Sequence, residues 1–493
     1  MIARMLVLAL DVGTSGARAL CFDASADPLD GAEGLVAYAP RLGPDGAAEL
    51  DPDALVEAVA GAVDACLAGA GRRAPEVRAV GLSVFWHSLV AVDADGRPLT
   101  PVITWADTRS DGAARELAER LDGAAVHGRT GAPLHAIFFP AKLRWLAARD
   151  PEIWRRAARF AGFAEYLLWR LTGVWRQSPS MASGTGLFEH RSGGWDGELL
   201  EACRLEPGRL VSIGDAPAEG LVPAFARRWP SLARVPWFPA WGDGACGSLG
   251  SDCGGPERIA LNVGTSSALR LALPATAAPP PSGLWHYRVD AARSLVGGAL
   301  NEGGNVVAWC REHLALPAND AALERAVAAV PAAAHGLDAL PFFAGERAPG
   351  WRGDARAALT GLTLATTAVQ VLRALMEGVA CRLALVHQRL APLAAGGHRV
   401  IASGGALHRS PAWASIVADA LGVPVTLSRA RQASSRGAAL RALAALGAPA
   451  PPPLADGPTY DPDAVRHRRY RAVGERQQAL YAKFVGDPPG LRQ

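Results

Sequence analysis

Cysteine is scarce and poorly spaced in this chain. The seven cysteines, Cys21, Cys66, Cys203, Cys246, Cys253, Cys310 and Cys381, are odd in number, and no two form a Cys-x-x-Cys pair. That argues against a disulfide framework. The nearest pair, Cys246 and Cys253, has no histidine beside it to complete a metal site. The thiols are read as reduced, which places the protein in the cytoplasm. Charge of either sign is also not in excess. The net charge is +3 over 493 residues, whereas a dedicated nucleic-acid binder usually carries a basic face. Long apolar runs are missing too. Met5–Leu10 after Arg4 mimics the start of a signal peptide, but Asp11 ends the run and no small-residue cleavage site follows. No run is read as reaching the ~20 apolar residues of a bilayer span. Neither a nucleic acid nor a membrane is expected as a partner.

What is present is a chain half apolar, long enough to bury a large core in two or more domains. The 54 glycines and 37 prolines are spread as turn punctuation. An apolar run over 5–10 meets Asp11-Val12-Gly13-Thr14-Ser15-Gly16, and an alternating run over 17–22 follows. That pattern predicts strand, tight turn, strand. Asp51-Pro52 is a helix start, and Leu55, Val59, Val63 and Cys66 recur at helical spacing until Gly69 and Gly71. A strand is expected over 77–85, and Asp95-Gly96 is expected to turn a hairpin ahead of 102–105. Strands and helices alternate, so the class is α/β. Residues 274–283 and 449–458 read as proline-rich loops. A final helix is expected from Asp461-Pro462 to about Phe484; its basic cluster Arg466-His467-Arg468-Arg469 reads as a solvated face, with an anion site as the alternative.

The most informative feature is a repeat. Ala9-Leu10-Asp11-Val12-Gly13-Thr14-Ser15-Gly16-Ala17 returns as Ala260-Leu261-Asn262-Val263-Gly264-Thr265-Ser266-Ser267-Ala268, offset by 251 residues. Both copies leave an apolar strand and enter an alternating one. Two domains of similar build are expected, 1–246 and 247–493. The glycines of each turn let successive N–H groups approach a phosphate, and Thr14, Ser15, Thr265 and Ser266 add hydroxyls. Asp11 offers a carboxylate to Mg2+, directly or through water, and Arg18 adds a positive charge nearby. Two such turns in matching halves point to one nucleotide held across a cleft.

Other residues could complete a reaction. Asp243 in Trp241-Gly242-Asp243-Gly244 is flanked by glycines, so a substrate hydroxyl can reach it, as phosphoryl transfer to an alcohol requires. An aspartate beside glycine is equally a helix cap or an Asx-turn. Ser403-Gly404-Gly405-Ala406 ends a strand where a flat base or ribose can lie on backbone, or where the chain simply turns. Trp86 and His87, then Trp105, Asp107 and Arg109, and Gly345-Glu346-Arg347 follow strand ends, where open α/β sheets bind ligands. From position alone, core is the commoner role for the tryptophans, and a structural ion pair for Asp107–Arg109.

Together these residues resemble the FGGY family of carbohydrate kinases over nearly the whole chain. Asp11–Ser15 and Asn262–Ser267 match its two phosphate motifs. Gly242-Asp243-Gly244 matches the stretch with its catalytic aspartate, and Ser403–Ala406 its adenosine motif. Residues 361–377 nearly match its C-terminal signature, with Leu375 where a smaller or β-branched residue is usual. The resemblance implies two actin-like (ribonuclease H-like) ATPase domains around a central cleft. It implies Mg2+ and ATP as cofactors and Asp243 as general base. The ATP contacts it implies are Asp11, Gly13, Thr14, Ser15, Arg18, Gly264, Thr265, Ser266, Gly404, Gly405 and Ala406. Trp86, His87, Trp105, Asp107, Arg109 and Asp243 are implied around the sugar.

Within the family the nearest resemblance is to its gluconokinases. It is carried by His87-Ser88-Leu89, residues 103–110, Arg129–Pro133, Ala182–Phe188, Asn301–Gly304 and 344–351. The expected substrate is therefore a sugar acid, gluconate first. His87, Arg109, Arg129 and Arg347 are expected as its cationic partners. A xylulokinase-like activity on a neutral sugar is the alternative, and a homodimer is left open. Three positions depart from the pattern: Ile137-Phe138-Phe139 where small polar residues are usual, Ser178-Pro179, and Ala357 in place of glycine. A chaperone or filament ATPase on the same fold is the remote reading. Such a chaperone is expected to carry a peptide-binding domain after the ATPase, and the aromatic clusters suit a sugar pocket instead.

Overall fold

Each half of the chain builds a sheet around its own Gly-Thr-Ser hairpin. The computed structural model describes residues 5–275 and 279–486. The first four residues of the signal-like segment and the middle of the 274–283 loop lie outside them. In the first half β1 (Leu6–Val12), β2 (Gly16–Phe22) and β3 (Pro28–Ala37) form an antiparallel meander. Helix α1 (Pro52–Ala70) crosses over, and β4 (Val77–Val84) returns parallel to β1. A long helical insertion follows, including α2 (Phe139–Arg149), before β5 (Trp241–Gly242) pairs parallel with β4 and leads into α3 (Asp243–Gly250).

The second half repeats the plan. It contains β6 (Arg258–Val263), β7 (Ser267–Pro274), β8 (Trp285–Arg288), β9 (Arg293–Leu300), α4 (Gly304–His313), α5 (Ala368–Leu390), β10 (Arg399–Ser403), α6 (Pro411–Leu421), β11 (Val425–Leu427), α7 (Ala433–Ala445) and α8 (Ala464–Phe484). The sheets read β3-β2-β1-β4-β5 and β9-β7-β6-β10-β11, with β8 outside β9. In both, the fourth and fifth strands run parallel to the first. The repeat is therefore one of topology as well as of sequence. The turns themselves differ. Four residues lie between the last β1–β2 pair, Val12 and Ala17, and three between Val263 and Ser267.

One expectation is corrected here. By length and composition, α1 with the turn after it is apolar enough to cross a membrane. Its alanines and glycines hid this in the sequence. In the fold its face of Leu55, Val56, Val59 and Val63 is buried in the first core, so it serves as a core helix. The domain limit expected at 246 falls inside α3, and α7 crosses back to the first half. There Ala438, Ala439, Ala442 and Leu443 share a core with β1 and β4. β6, β7, β9, α5 and α6 build the second core. α3 and α7 pack backbone to backbone. A Cβ added at Gly250 would lie 1.8 Å from the Ala433 carbonyl oxygen, and one at Gly437 2.0 Å from that of Cys246.

Candidate active site

β5 delivers Asp243 to the first position of α3. Trp86, just after β4, covers that junction. A Cβ at Gly242 would come within 1.8 Å of its indole, and one at Gly244 within 2.7 Å. Gly242 leaves room for Trp86, and Gly244 for both Trp86 and the Arg270 guanidinium. The Trp86 Nε1–H donates to the Ser180 carbonyl at 3.0 Å. The Gly244 N–H donates to the Asp243 carboxylate at 2.7 Å. Burial pushes the Asp243 carboxyl up, against the opposing charges of Arg270 and Arg347. Asp11, near the end of β1, accepts from Ser83 Oγ at 2.9 Å. Burial raises it to about 6, and the nearby Asp243 adds to the rise.

Two cavities meet at Asp243, Asn262 and Arg270. The first, about 380 Å³, is also lined by Asp11, Gly404, Gly405 and Gln432. The second, about 280 Å³, holds both turns, Gly13-Thr14-Ser15 and Gly264-Thr265-Ser266, together with Trp86, His87, Trp105, Tyr287 and Arg347. Gly304 N–H at the start of α4 donates to Gly264 O at 2.7 Å, which fixes the second turn to a helix N-terminus. A third cavity of about 250 Å³ lies past Ala406, between Val307, Ala308, Met376 and Trp413. Ala406 lines this cavity, while Gly404 and Gly405 line the cleft. Arg18 lines neither cleft cavity; it donates to Gln432.

The cationic residues sort differently from expectation. Arg109 is bound to Asp107 and to Glu49, and its guanidinium lies 4.6 Å from the Trp145 ring centroid. Asp107 also accepts from the Ala48 N–H at 3.0 Å. Neither residue lines the two cleft cavities, and each has its charge paired. Arg129 is likewise paired with Asp196 and Glu198. His87 lines the pocket but not as a cation. Burial drives its imidazole down to about 3. Its Nδ1 lies 2.6 Å from the Gly184 carbonyl, so Nδ1 carries the proton and Nε2 is an acceptor. Of the four, Arg347 lines the second cavity with its guanidinium 5.1 Å over Trp105.

Arg270 was missed. It sits on β7, two residues beyond Ala268, so strand alternation turns both to the cavity. The available signal was a lone charge inside the apolar run 268–273. Tyr287 was missed as well, on β8 beside Trp285, with the two rings stacked at 4.4 Å. Among the described residues, Arg270 Nε, Arg347 Nε and the Tyr287 hydroxyl are buried without a hydrogen-bond partner. Of the departures from the family pattern, Ile137 lines the pocket. The Phe138 ring stands edge-on to His87 at 5.1 Å and packs toward Tyr287 and Trp351. Phe139 turns away into a separate core of the insertion.

Models of the FGGY family of carbohydrate kinases match the chain in both parts, the N-terminal domain over residues 6–250 and the C-terminal domain over 259–446. The chain belongs to the FGGY family of carbohydrate kinases. This FGGY kinase is 28% identical over 456 residues to the gluconokinase of Bacillus subtilis (strain 168), covering 90% of this chain and 88% of that protein. It is 32% identical over 447 residues to the glycerol kinase of Thermus brockianus, covering 88% of each. Among solved structures, the gluconate kinase from Lactobacillus acidophilus superposes with a TM-score of 0.90 at 24% identity, over 98% of this chain and 99% of that one. A ligand-bound xylulose kinase from the same organism gives 0.89 at 25%, over the same shares. The two-domain kinase fold is thus shared by relatives of three different sugar specificities.

Among the described residues no three His, Cys, Asp or Glu side chains cluster as a metal cage. Asp11 and Asp243 do share one cavity. That donor set fits Mg2+, which takes one or two carboxylates and fills the rest of its shell with water and phosphate oxygens.

Proposed function

We propose that this kinase transfers the γ-phosphoryl group of ATP to a hydroxyl of a linear sugar acid, gluconate first, giving 6-phosphogluconate. The observation that carries this reading is the set of buried, unpartnered donors around Asp243: Arg270 Nε, Arg347 Nε and the Tyr287 hydroxyl. Leaving such groups unpaired is costly, and a substrate carboxylate taken from water needs donors of this kind. The His87 Nε2 acceptor suits a substrate hydroxyl.

In this reading the turns Gly13–Ser15 and Gly264–Ser266 hold the phosphates by backbone N–H groups and hydroxyls. The nucleotide passes Gly404 and Gly405, and its base lies in the apolar cavity past Ala406. Asp11 would hold Mg2+, which when bound neutralises charge on the phosphates. Asp243 orients the sugar hydroxyl and takes its proton. The hydroxyl oxygen bonds to the γ-phosphorus, the bond to the β–γ bridging oxygen breaks, and ADP leaves. Trp86, Tyr287 and Trp351 keep water from the attacking position. The seven cysteines are all free and buried, which suits a cytoplasmic enzyme.

A neutral polyol or ketose is the second reading, favoured by Ile137 in the pocket wall and by the neutrality of His87. The test is kcat/KM for gluconate against xylulose, ribulose and glycerol at fixed Mg-ATP. A preference for any neutral substrate above about tenfold, or ~1.4 kcal/mol of transition-state binding, overturns the sugar-acid reading.

A further inference from the structure

Lys142 on α2 is wholly buried, yet among the described residues it forms no ion pair. Its Nζ donates to three backbone carbonyls, those of His87, Ile103 (3.4 Å) and Thr104 (2.8 Å). Three ammonium hydrogens meet three acceptors, so none is left for acid–base work. Burying an ammonium without a carboxylate beside it is expensive. Burial accordingly pushes it down to about 7, with the Asp107 charge opposing. A core methionine would fill the same space at less cost, so the charge needs a reason.

The carbonyls it holds supply one. They belong to two segments joined further along by the Leu89–Ile103 backbone bridge; at the cavity end Lys142 ties the His87 and Thr104 carbonyls, whose chain runs on to residues lining the second cavity. His87 follows Trp86 and takes a φ of 62°, a left-handed conformation uncommon outside glycine. That conformation turns its carbonyl to Lys142 while its ring bonds Gly184 and faces the cavity. Thr104 precedes Trp105, whose face carries Arg347.

We propose that Lys142 is a positioning residue for the sugar pocket. Its ammonium clamps the His87 and Thr104 carbonyls together, and so aims His87 Nε2 and the Trp105–Arg347 stack at the substrate without touching it. The inference rests on this cavity being the sugar site, whichever sugar the substrate panel selects.

The test uses the full-length enzyme, that preferred sugar, and the variants Lys142→Met, Lys142→Gln and Lys142→Arg. For Lys142→Met the expected result is a sugar KM raised by about ten- to a hundredfold, the worth of charge-assisted hydrogen bonds, with the ATP KM within about twofold. Lys142→Arg, which keeps the charge and the donors, should recover part of the sugar KM. Equal changes in both KM values, normal sugar KM in a destabilised Lys142→Met, or failure of all three variants to fold would each assign Lys142 to the core alone and overturn the proposal. If gluconate proves not to be the substrate, the sugar in the assay changes but the contrast between the two KM values does not.

Discussion

Gly242→Ala isolates the contact between the expected base and the tryptophan that covers it. Gly242 has φ −64° and ψ 143°, a conformation open to any residue. Backbone freedom therefore does not explain the glycine, and the Trp86 indole does. The new Cβ would stand 1.8 Å from one ring atom, where carbon contacts normally sit near 3.5–4.0 Å, so the ring must retreat by roughly 2 Å. It has nowhere to go. Tyr287 and Trp285 lie behind it at centroid distances of 5.2 and 6.1 Å, and Gly184 closes another side. Overpacking of this kind costs about 1–3 kcal/mol, and the lost bond to Ser180 adds about 1 kcal/mol. The first lobe should lose roughly 2–4 kcal/mol, a fall in Tm of several degrees. Because Trp86 also lines the pocket, kcat/KM should drop by more than about tenfold. Differential scanning calorimetry and steady-state kinetics read the two effects. The double variant Gly242→Ala with Trp86→Leu removes the clash, so it should regain stability without regaining activity. A single variant with unchanged Tm and normal turnover would refute the argument.

Three further outcomes are expected. Asp243→Asn should lower turnover by ~10²–10⁴-fold while sparing ATP binding; near-normal turnover, with binding measured by calorimetry, would remove Asp243 as base. Arg347→Met should raise KM for the sugar acid by roughly ten- to a hundredfold and leave neutral sugars nearly unaffected; a parallel loss on both kinds would make Arg347 structural. Acid should weaken the junction of the lobes through His190 and His286, which burial pushes down to about 4 and about 2 and whose rings stack at 4.2 Å. The unfolded chain takes up these protons near pH 6.5 and the folded protein does not. Their contribution is therefore intact above about pH 6.5 and lost progressively toward pH 4. Denaturant midpoints across that range should flatten in His190→Gln, and an unchanged slope would exclude these groups.

The two turns, Asp243 and the aromatic strand ends were legible in the sequence because each is a local pattern with a local physical reason. Arg109 and Arg347 were not separable that way. Both follow strand ends, and what consumes Arg109 is Glu49, sixty positions earlier and paired only by the fold. Arg270 looked like an interruption of an apolar strand, since nothing local shows that its strand face meets a cavity. The alanine-rich α7 carried no mark of which sheet it would join. The one-residue difference between the turns was hidden by nine aligned positions that pair with different registers across their hairpins.

β8 has a use for the engineer. Trp285 and Tyr287 face the pocket. Between them, the His286 N–H donates to Gly131 O at 2.8 Å, and beyond them Arg288 Nη2 donates to His190 O at 2.9 Å, both across to the first lobe. Alternation thus interleaves two sets of contacts in four consecutive codons. A library varied only at 285 and 287 samples appetite for new sugars while keeping the His286 and Arg288 bonds, though it also changes the packing on Trp86. One varied only at 286 and 288 changes the His286 ring stacked on His190 at 4.2 Å and the Arg288 bond, and so tunes how firmly the halves adhere, while the tasting surface stays as it was.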